Sequence, residues 1–183
     1  SSIAEYDLRD VDALVQTGLR LAAAGANNYY MVTSGTALED ADIETVCRAT
    51  EILREKSNLK VCASLGMLTQ RSARKLKAAG VARYHHNLET ARSYFPHICT
   101  THDYEEDIQT LLTAKQAGLE VCSGGIFGMG ESWEQRVEMA FLLKELDVDA
   151  IPINFLNPIE GTALAQRPLM APLEALACIA LYR

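Results

Sequence analysis

Two thiols and one polar strand end carry most of the chemistry this sequence offers. Cys62 and Cys122 stand in closely matching contexts, LKVCAS and LEVCSG. In each, Val and Cys face opposite sides of a strand, so an outward Val turns the Cys inward. A single buried Cys is a small hydrophobe. Two inward thiols on separate strands also suit a soft metal or an iron–sulfur cluster. A tetrahedral zinc site would want four ligands in close pairs, and no C-x-x-C occurs. His85, Asn87 and Glu89 share one face of a strand pattern by the same alternation. A carboxylate beside an amide binds a ribose diol or a ligand amine; the alternative is that Glu89 caps the turn that follows. His85 and His86 are adjacent and face opposite ways, so they do not form a metal pair. Asn154 lies between Ile153 and Phe155, where a buried amide needs a ligand or a backbone group as partner.

The stretch Leu119 to Ser132, LEVCSGGIFGMGES, adds Gly124, Gly125, Gly128 and Gly130 directly after a strand pattern. Glycine costs roughly 0.5–1 kcal/mol relative to Ala inside regular structure, so such a cluster needs a cause. It marks either backbone pressed against a ligand or a tight strand-to-helix turn. The order of the glycines is the reverse of the dinucleotide fingerprint, and no phosphate-loop Gly-Lys-Ser/Thr occurs. There is no Ser-His-Asp arrangement. Cys47 and Cys178 sit on helix patterns and read as structural.

Alternating helices and strands must position these groups. Helix patterns cover Asp7–Ala24, Asp40–Lys56, the run capped by Thr69 up to Ala79, Tyr104–Ala117, Ser132–Leu146 and a last partial helix from Pro172. Strand patterns cover Asn28–Thr33, Leu59–Ser64, Val81–Leu88, Leu119–Cys122 and Ala150–Leu156. A long connection, Glu89–Asp103, which includes Cys99, follows the third strand. The junctions AAAGANNYYMV, KAAGVARYHH and KQAGLEVCSG repeat one plan: a helix end, an Ala-Gly stop, then a strand. Such αβ units of roughly 30–40 residues build a parallel α/β fold. Chemistry-capable residues near the end of every strand after the first favour a β/α barrel over an open sheet. About five strands cannot close a barrel. Residues 1–183 therefore read as a single domain that is a segment of a TIM-type barrel, with parallel strands and outer helices.

Composition narrows the classes. The net charge of −7 argues against nucleic acid or an anionic membrane as the main partner. No apolar run is long enough to span a bilayer, and no signal peptide is visible. Five cysteines at irregular spacing do not make a secreted disulfide framework; a reduced, cytoplasmic protein is expected. The chain starts without Met, Ser1-Ser2 reads as mid-chain, and the segment Ala171–Arg183 reads as a helix still running.

The runs YHHNLETARSYFPHICTTHDYEEDI, EVCSGGIFGMGES and IPINFLNPIEGTAL resemble the biotin synthase family of radical S-adenosylmethionine (SAM) enzymes. The likeness extends over nearly the whole chain. It implies a β/α barrel, a [4Fe-4S] cluster that cleaves SAM, and an auxiliary [2Fe-2S] or variant cluster that donates sulfur to dethiobiotin to make biotin. It further implies an electron donor such as flavodoxin or ferredoxin and a homodimeric parent enzyme. By the same resemblance Asn87 and Glu89, the latter in place of a usual Asp, meet the SAM ribose. Thr33 and Ser34 meet its methionine part, and the backbone from Gly125 through Ile126 to Gly128 lines the adenosine. Asn87, Asn154 and His85, the last in place of a usual Asn, meet the substrate. Cys62 and Cys122 ligate the auxiliary cluster, and no catalytic side chain is assigned.

The chain also departs from the family pattern. The radical-SAM C-x-x-x-C-x-x-C loop is absent. In the family a Ser-Ser pair closely follows that loop, so Ser1-Ser2 places the start just beyond it. The first strand with its cysteine loop, and the last strands with an Arg cluster ligand, would then lie outside these residues. Tyr30 takes the place of a third auxiliary-cluster Cys, and Asp107 stands where some relatives carry an Arg toward the SAM carboxylate. This chain alone is therefore expected to be inactive. A lyase, a mutase, a metallocofactor-maturation enzyme or a non-catalytic barrel segment are the alternatives.

Overall fold

The structure, a computed structural model, describes residues 6–183; the expectation drawn from Ser1 and Ser2 concerns residues outside this range. The chain order is α1 (Val11–Ala23), β1 (Asn28–Val32), α2 (Asp40–Lys56), β2 (Lys60–Ser64), α3 (Gln70–Ala79), β3 (Arg83–His85), α4 (Tyr104–Gln116), β4 (Glu120–Cys122), β5 (Gly125–Phe127), α5 (Trp133–Glu145), β6 (Ile153–Phe155) and α6 (Pro172–Leu181). The fold class is α/β with parallel strands, as expected. Among the described residues no helix is long and apolar enough to cross a membrane. The chain divides into two compact units.

Of the described residues, the first unit holds 6–86 together with Gln109–Val121. Its sheet runs in the order β1-β2-β3-β4. β1 and β2 pair in parallel, with Tyr30 opposite Cys62, and β2 pairs with β3, with Cys62 opposite Arg83. The helices are bounded by local chemistry. The Asp10 carboxylate accepts from the Ala13 N–H at the start of α1. Thr69 and Ser72 form a capping box at α3, and Gly80 ends that helix at a φ of 97°. α2 turns Ile43, Val46, Ala49 and Leu53 into the core. Gly18 lets α1 approach α2 closely, since a Cβ there would stand 2.6 Å from a Leu53 methyl. Tyr84 is fully buried in β3. Its hydroxyl donates to the Gly66 carbonyl and accepts from the Leu65 N–H, tying down the loop after β2.

The second unit holds Asn87–Ile108 and Cys122–Arg183. β5 and β6 pair in parallel, with Ile126 opposite Asn154. Single bridges join Glu89 to Gly125 and Cys122 to Ala150. α5 is opened by a Ser132–Gln135 capping box.

Three strand expectations change, the first being Ala150–Leu156, which forms a ladder only over Ile153–Phe155. The expected strand Val81–Leu88 is a ladder only over Arg83–His85. It ends because Glu89 takes a left-handed φ of 64°, and the Leu88 and Glu89 N–H groups both turn to the Gly124 carbonyl. The glycine stretch in turn contains a strand of its own, β5, where no strand was expected.

Candidate functional site

The polar turn after β3 is built from backbone outward. Glu89 is one of two described non-glycine residues at positive φ, a conformation that L side chains adopt at a cost. Its N–H donates to Gly124 O at 3.2 Å, and its carbonyl accepts from Ile126 N at 2.8 Å. The Asn87 side chain closes the arrangement, its Oδ1 accepting from Gly124 N at 3.2 Å. Asn154 Nδ2 approaches the Gly125 carbonyl at 3.5 Å. One unit thus brings Asn87, Glu89, Gly125, Ile126 and Asn154 together around a single backbone crossing.

The glycines of this crossing serve chain packing. A Cβ on Gly124 would stand 1.9 Å from the Pro152 carbonyl oxygen, and one on Gly125 would stand 2.3 Å from that of Glu89. Gly128 differs: its φ is 93°, yet no atom lies closer than 3.6 Å to its missing Cβ. There the Met170 and Leu156 side chains lie at ordinary contact distance, and it is the positive φ that calls for glycine. Asn154 is exposed, whereas its apolar neighbours suggested burial.

A buried ion pair that sequence reasoning missed holds the Gly128 turn. Glu131 Oε1 accepts from Gly128 N at 2.8 Å and Oε2 from Gly130 N at 3.1 Å. Arg136 Nε donates to Glu131 Oε1 at 2.8 Å, with side chains only 6% and 2% exposed. Arg136 also donates to Glu174 Oε1 at 2.7 Å and stacks its guanidinium 4.6 Å from the Trp133 ring centroid. The signal was an acid directly after Gly-x-Gly with an arginine one and a half turns on.

In the first unit, Tyr30, Cys62, Arg83 and Glu120 come from four neighbouring strands. Cys62 is 1% exposed, and burial pushes its thiol up from the usual range while a hydrogen bond with Tyr30 opposes the shift. The same phenol hydrogen-bonds Arg83, chiefly raising the guanidinium's pKa. Arg83 is then pinned by Glu120 through contacts of 3.1 and 2.8 Å. Strand alternation already put Arg83 on the face of His85, but its long-range partner Glu120 left no local signal. His85 is half-buried at the end of β3, and burial first, then the His86 charge, lowers its pKa. Thr33 follows β1, its N–H donating to Ser64 O at 3.0 Å, and Ser34 beside it is exposed. Cys122 is buried in β4 of the sheet. Among the described residues no three of His, Cys, Asp or Glu are placed to hold a metal ion together.

The sequence profile of the radical SAM superfamily matches residues 2–143. The biotin synthase of Syntrophus aciditrophicus is 61% identical over 183 residues, covering 100% of this chain and 56% of that protein. The biotin synthase of Geobacter metallireducens is 54% identical over 179 residues, covering 97% of this chain and 54% of that protein. The chain therefore spans about half the length of the curated relatives it matches. Among solved structures, methylornithine synthase (PylB) superposes with a TM-score of 0.82 at 19% identity, over 100% of this chain and 56% of that one. The [FeFe]-hydrogenase maturase HydG gives 0.80 at 18% identity, over 99% and 43%. These likenesses identify the fold as a portion of a radical SAM barrel.

Proposed function

The chain belongs to the radical SAM superfamily and is a homologue of biotin synthases, and on that premise we propose that the protein carrying it inserts sulfur into dethiobiotin. The observation that carries this reading is the 61% identity to a biotin synthase across all 183 residues. An electron donor such as flavodoxin or ferredoxin and a homodimeric parent belong to the same reading.

The residues present fit SAM. Glu89 and Asn87 offer an anionic acceptor and an amide at one rigid turn, a donor–acceptor set suited to a ribose diol. Gly125, Ile126 and Gly128 offer the backbone against which a flat base would lie. Thr33 and Ser34 offer hydroxyls and backbone polar groups to the methionine part, while Asn154, His85 and the Asn87 amide address the substrate. With its pKa lowered, His85 presents a neutral imidazole, which hydrogen-bonds a neutral ring without adding charge. Bound together, SAM and a [4Fe-4S] cluster would supply radical chemistry, and the C-x-x-x-C-x-x-C loop that would hold such a cluster does not occur in this sequence. This chain's own residues would position the nucleoside.

Cys62 and Cys122 each fit a soft-metal ligand, being buried thiols on strands whose geometry is fixed before iron arrives. Tyr30 does not fit as a third thiolate, because its phenol is a hard oxygen already engaged with Arg83. That observation favours a second reading, a radical SAM lyase, mutase or metallocofactor-maturation enzyme without a sulfur donor. Anaerobic reconstitution of the full-length protein, followed by product analysis with dethiobiotin, separates the two. Biotin supports the first reading; 5′-deoxyadenosine without biotin supports the second.

A further inference from the structure

The connection between β3 and α4 holds a relay of three side chains that the SAM reading does not use. Cys99 Sγ lies 3.5 Å from His102 Nδ1. His102 Nε2 lies 3.1 Å from Asp107 Oδ2, and the Asp107 side chain is only 3% exposed. A carboxylate accepts but does not donate, so Asp107 fixes the proton on Nε2 and leaves Nδ1 as the accepting nitrogen; Sγ lies 4.0 Å from Nε2 as well, beside the ring rather than along the Nδ1 lone pair. Thr101 Oγ1 bridges the two, 3.0 Å from Nδ1 and 3.4 Å from Sγ, so the proton passes through that hydroxyl. Phe95 packs edge-on against the imidazole at 5.5 Å and holds the ring. Nucleophile, base and orienter are in the sequence that activated thiols require.

The other four cysteines differ. Cys62, Cys122 and Cys178 are buried. Cys47 is half-buried on α2, where burial and Glu51 push its thiol up to about 11. Cys99 is half-buried, open to a small reagent, and has an imidazole at hand. The trio is not a metal site: among the described residues no three of His, Cys, Asp or Glu are placed to hold one ion.

We propose that Cys99 is a redox modification site that takes small-molecule disulfides into a mixed disulfide. The Cys99 S–H proton passes to His102 Nδ1, and the thiolate forms a bond to one sulfur of the disulfide. The disulfide's own S–S bond breaks, and its leaving thiolate takes the proton from His102. The balance is one thiol and one disulfide to one mixed disulfide and one thiol: Cys99 is oxidised, the departing half is reduced, and excess thiol reverses the step. Asp107 acts through His102 and is a positioning residue. The adduct would sit in the same connection that begins at Glu89. The proposal does not depend on the SAM reading.

The test uses the full-length protein carrying this chain, reduced and held under argon, with oxidised glutathione as probe. Acid quenching, alkylation and peptide mass spectrometry follow each cysteine separately. Cys99 should form the adduct about 10-fold or more faster than Cys47 and release it with dithiothreitol. His102→Gln and Asp107→Asn should each slow Cys99 by about 10-fold and leave Cys47 unchanged. Added imidazole should restore the Cys99 rate in a His102→Gly variant. Unfolding would expose Cys99 and speed its reaction, so loss of the base and loss of the fold move the rate in opposite directions. A Cys99 rate equal to that of Cys47, or a His102→Gln rate equal to or above wild type, would overturn the proposal.

Discussion

Tyr30 and Cys62 face each other across the β1–β2 register, and the phenol hydroxyl hydrogen-bonds the Cys62 thiol. With Arg83 opposite Cys62 on the next strand and also bonded to the phenol, Tyr30 is held as a neighbour of the sulfur. A phenol has a reference pKa near ~10 and a hard oxygen, so it is a poor soft-metal ligand. In full-length protein reconstituted with iron and sulfide, Cys62→Ala and Cys122→Ala should each lose the auxiliary cluster. The SAM-binding cluster should survive in both, and Tyr30→Phe should keep its full iron content. Iron counts and Mössbauer spectra check this. Loss of iron in Tyr30→Phe equal to that in Cys62→Ala would make the phenolate a ligand after all.

Gly124→Ala should be strongly destabilising, because its Cβ would stand 1.9 Å from backbone at Pro152. Overpacking against backbone costs about 1–3 kcal/mol or more. Gly25→Ala, with nothing within 4 Å, meets only the strain of its φ of 86° and should lose about 1 kcal/mol. Urea melts of the two variants should therefore rank Gly124→Ala well below Gly25→Ala; the reverse order would contradict the close backbone crossing.

Arg136→Met should cost about 3–5 kcal/mol, since it leaves the Glu131 carboxylate buried without its ion partner. Adding Glu131→Leu to Arg136→Met should cost less than the sum of the single changes. A double-mutant cycle by chemical denaturation measures the coupling. Simple additivity would show that the pair does not act as a unit.

His85 gives a pH dependence of defined sign. Burial lowers its folded pKa below the unfolded value near ~6.5, so the unfolded chain binds the proton more readily. Its contribution is steady above that unfolded value, and stability falls as pH drops below it toward the lower folded pKa. Stability measured in urea between about pH 7.5 and 5.5 should decline, and His85→Gln should flatten part of the decline.

Local signals were the most readable part of the sequence. The bounds of α2 follow from its apolar spacing, and Thr69, Gly80 and Ser132 act as helix punctuation through contacts within a few residues. What stayed hidden depends on distant partners. β5 opens on Gly125, directly after Gly124, because Pro152 and Glu89 crowd the backbone there, and that crowding leaves no period-two pattern. Arg83–Glu120 and Arg136–Glu174 join residues far apart in sequence. Asn154 misled because apolar neighbours imply burial, whereas β6 pairs only with β5 among the described strands. Asn87 and Glu89 were legible as a polar strand end; the left-handed turn that presents them was not.

The most direct measurement follows hydrogen and sulfur in one assay. Dethiobiotin deuterated at the carbons that receive sulfur is incubated anaerobically with SAM, reductant and the reconstituted full-length protein. Mass spectrometry then reads the nucleoside and the product. The account predicts deuterium in 5′-deoxyadenosine together with biotin, and loss of both in Glu89→Gln at limiting SAM. Unlabelled 5′-deoxyadenosine with no biotin would contradict it and leave this chain a radical SAM barrel for another substrate.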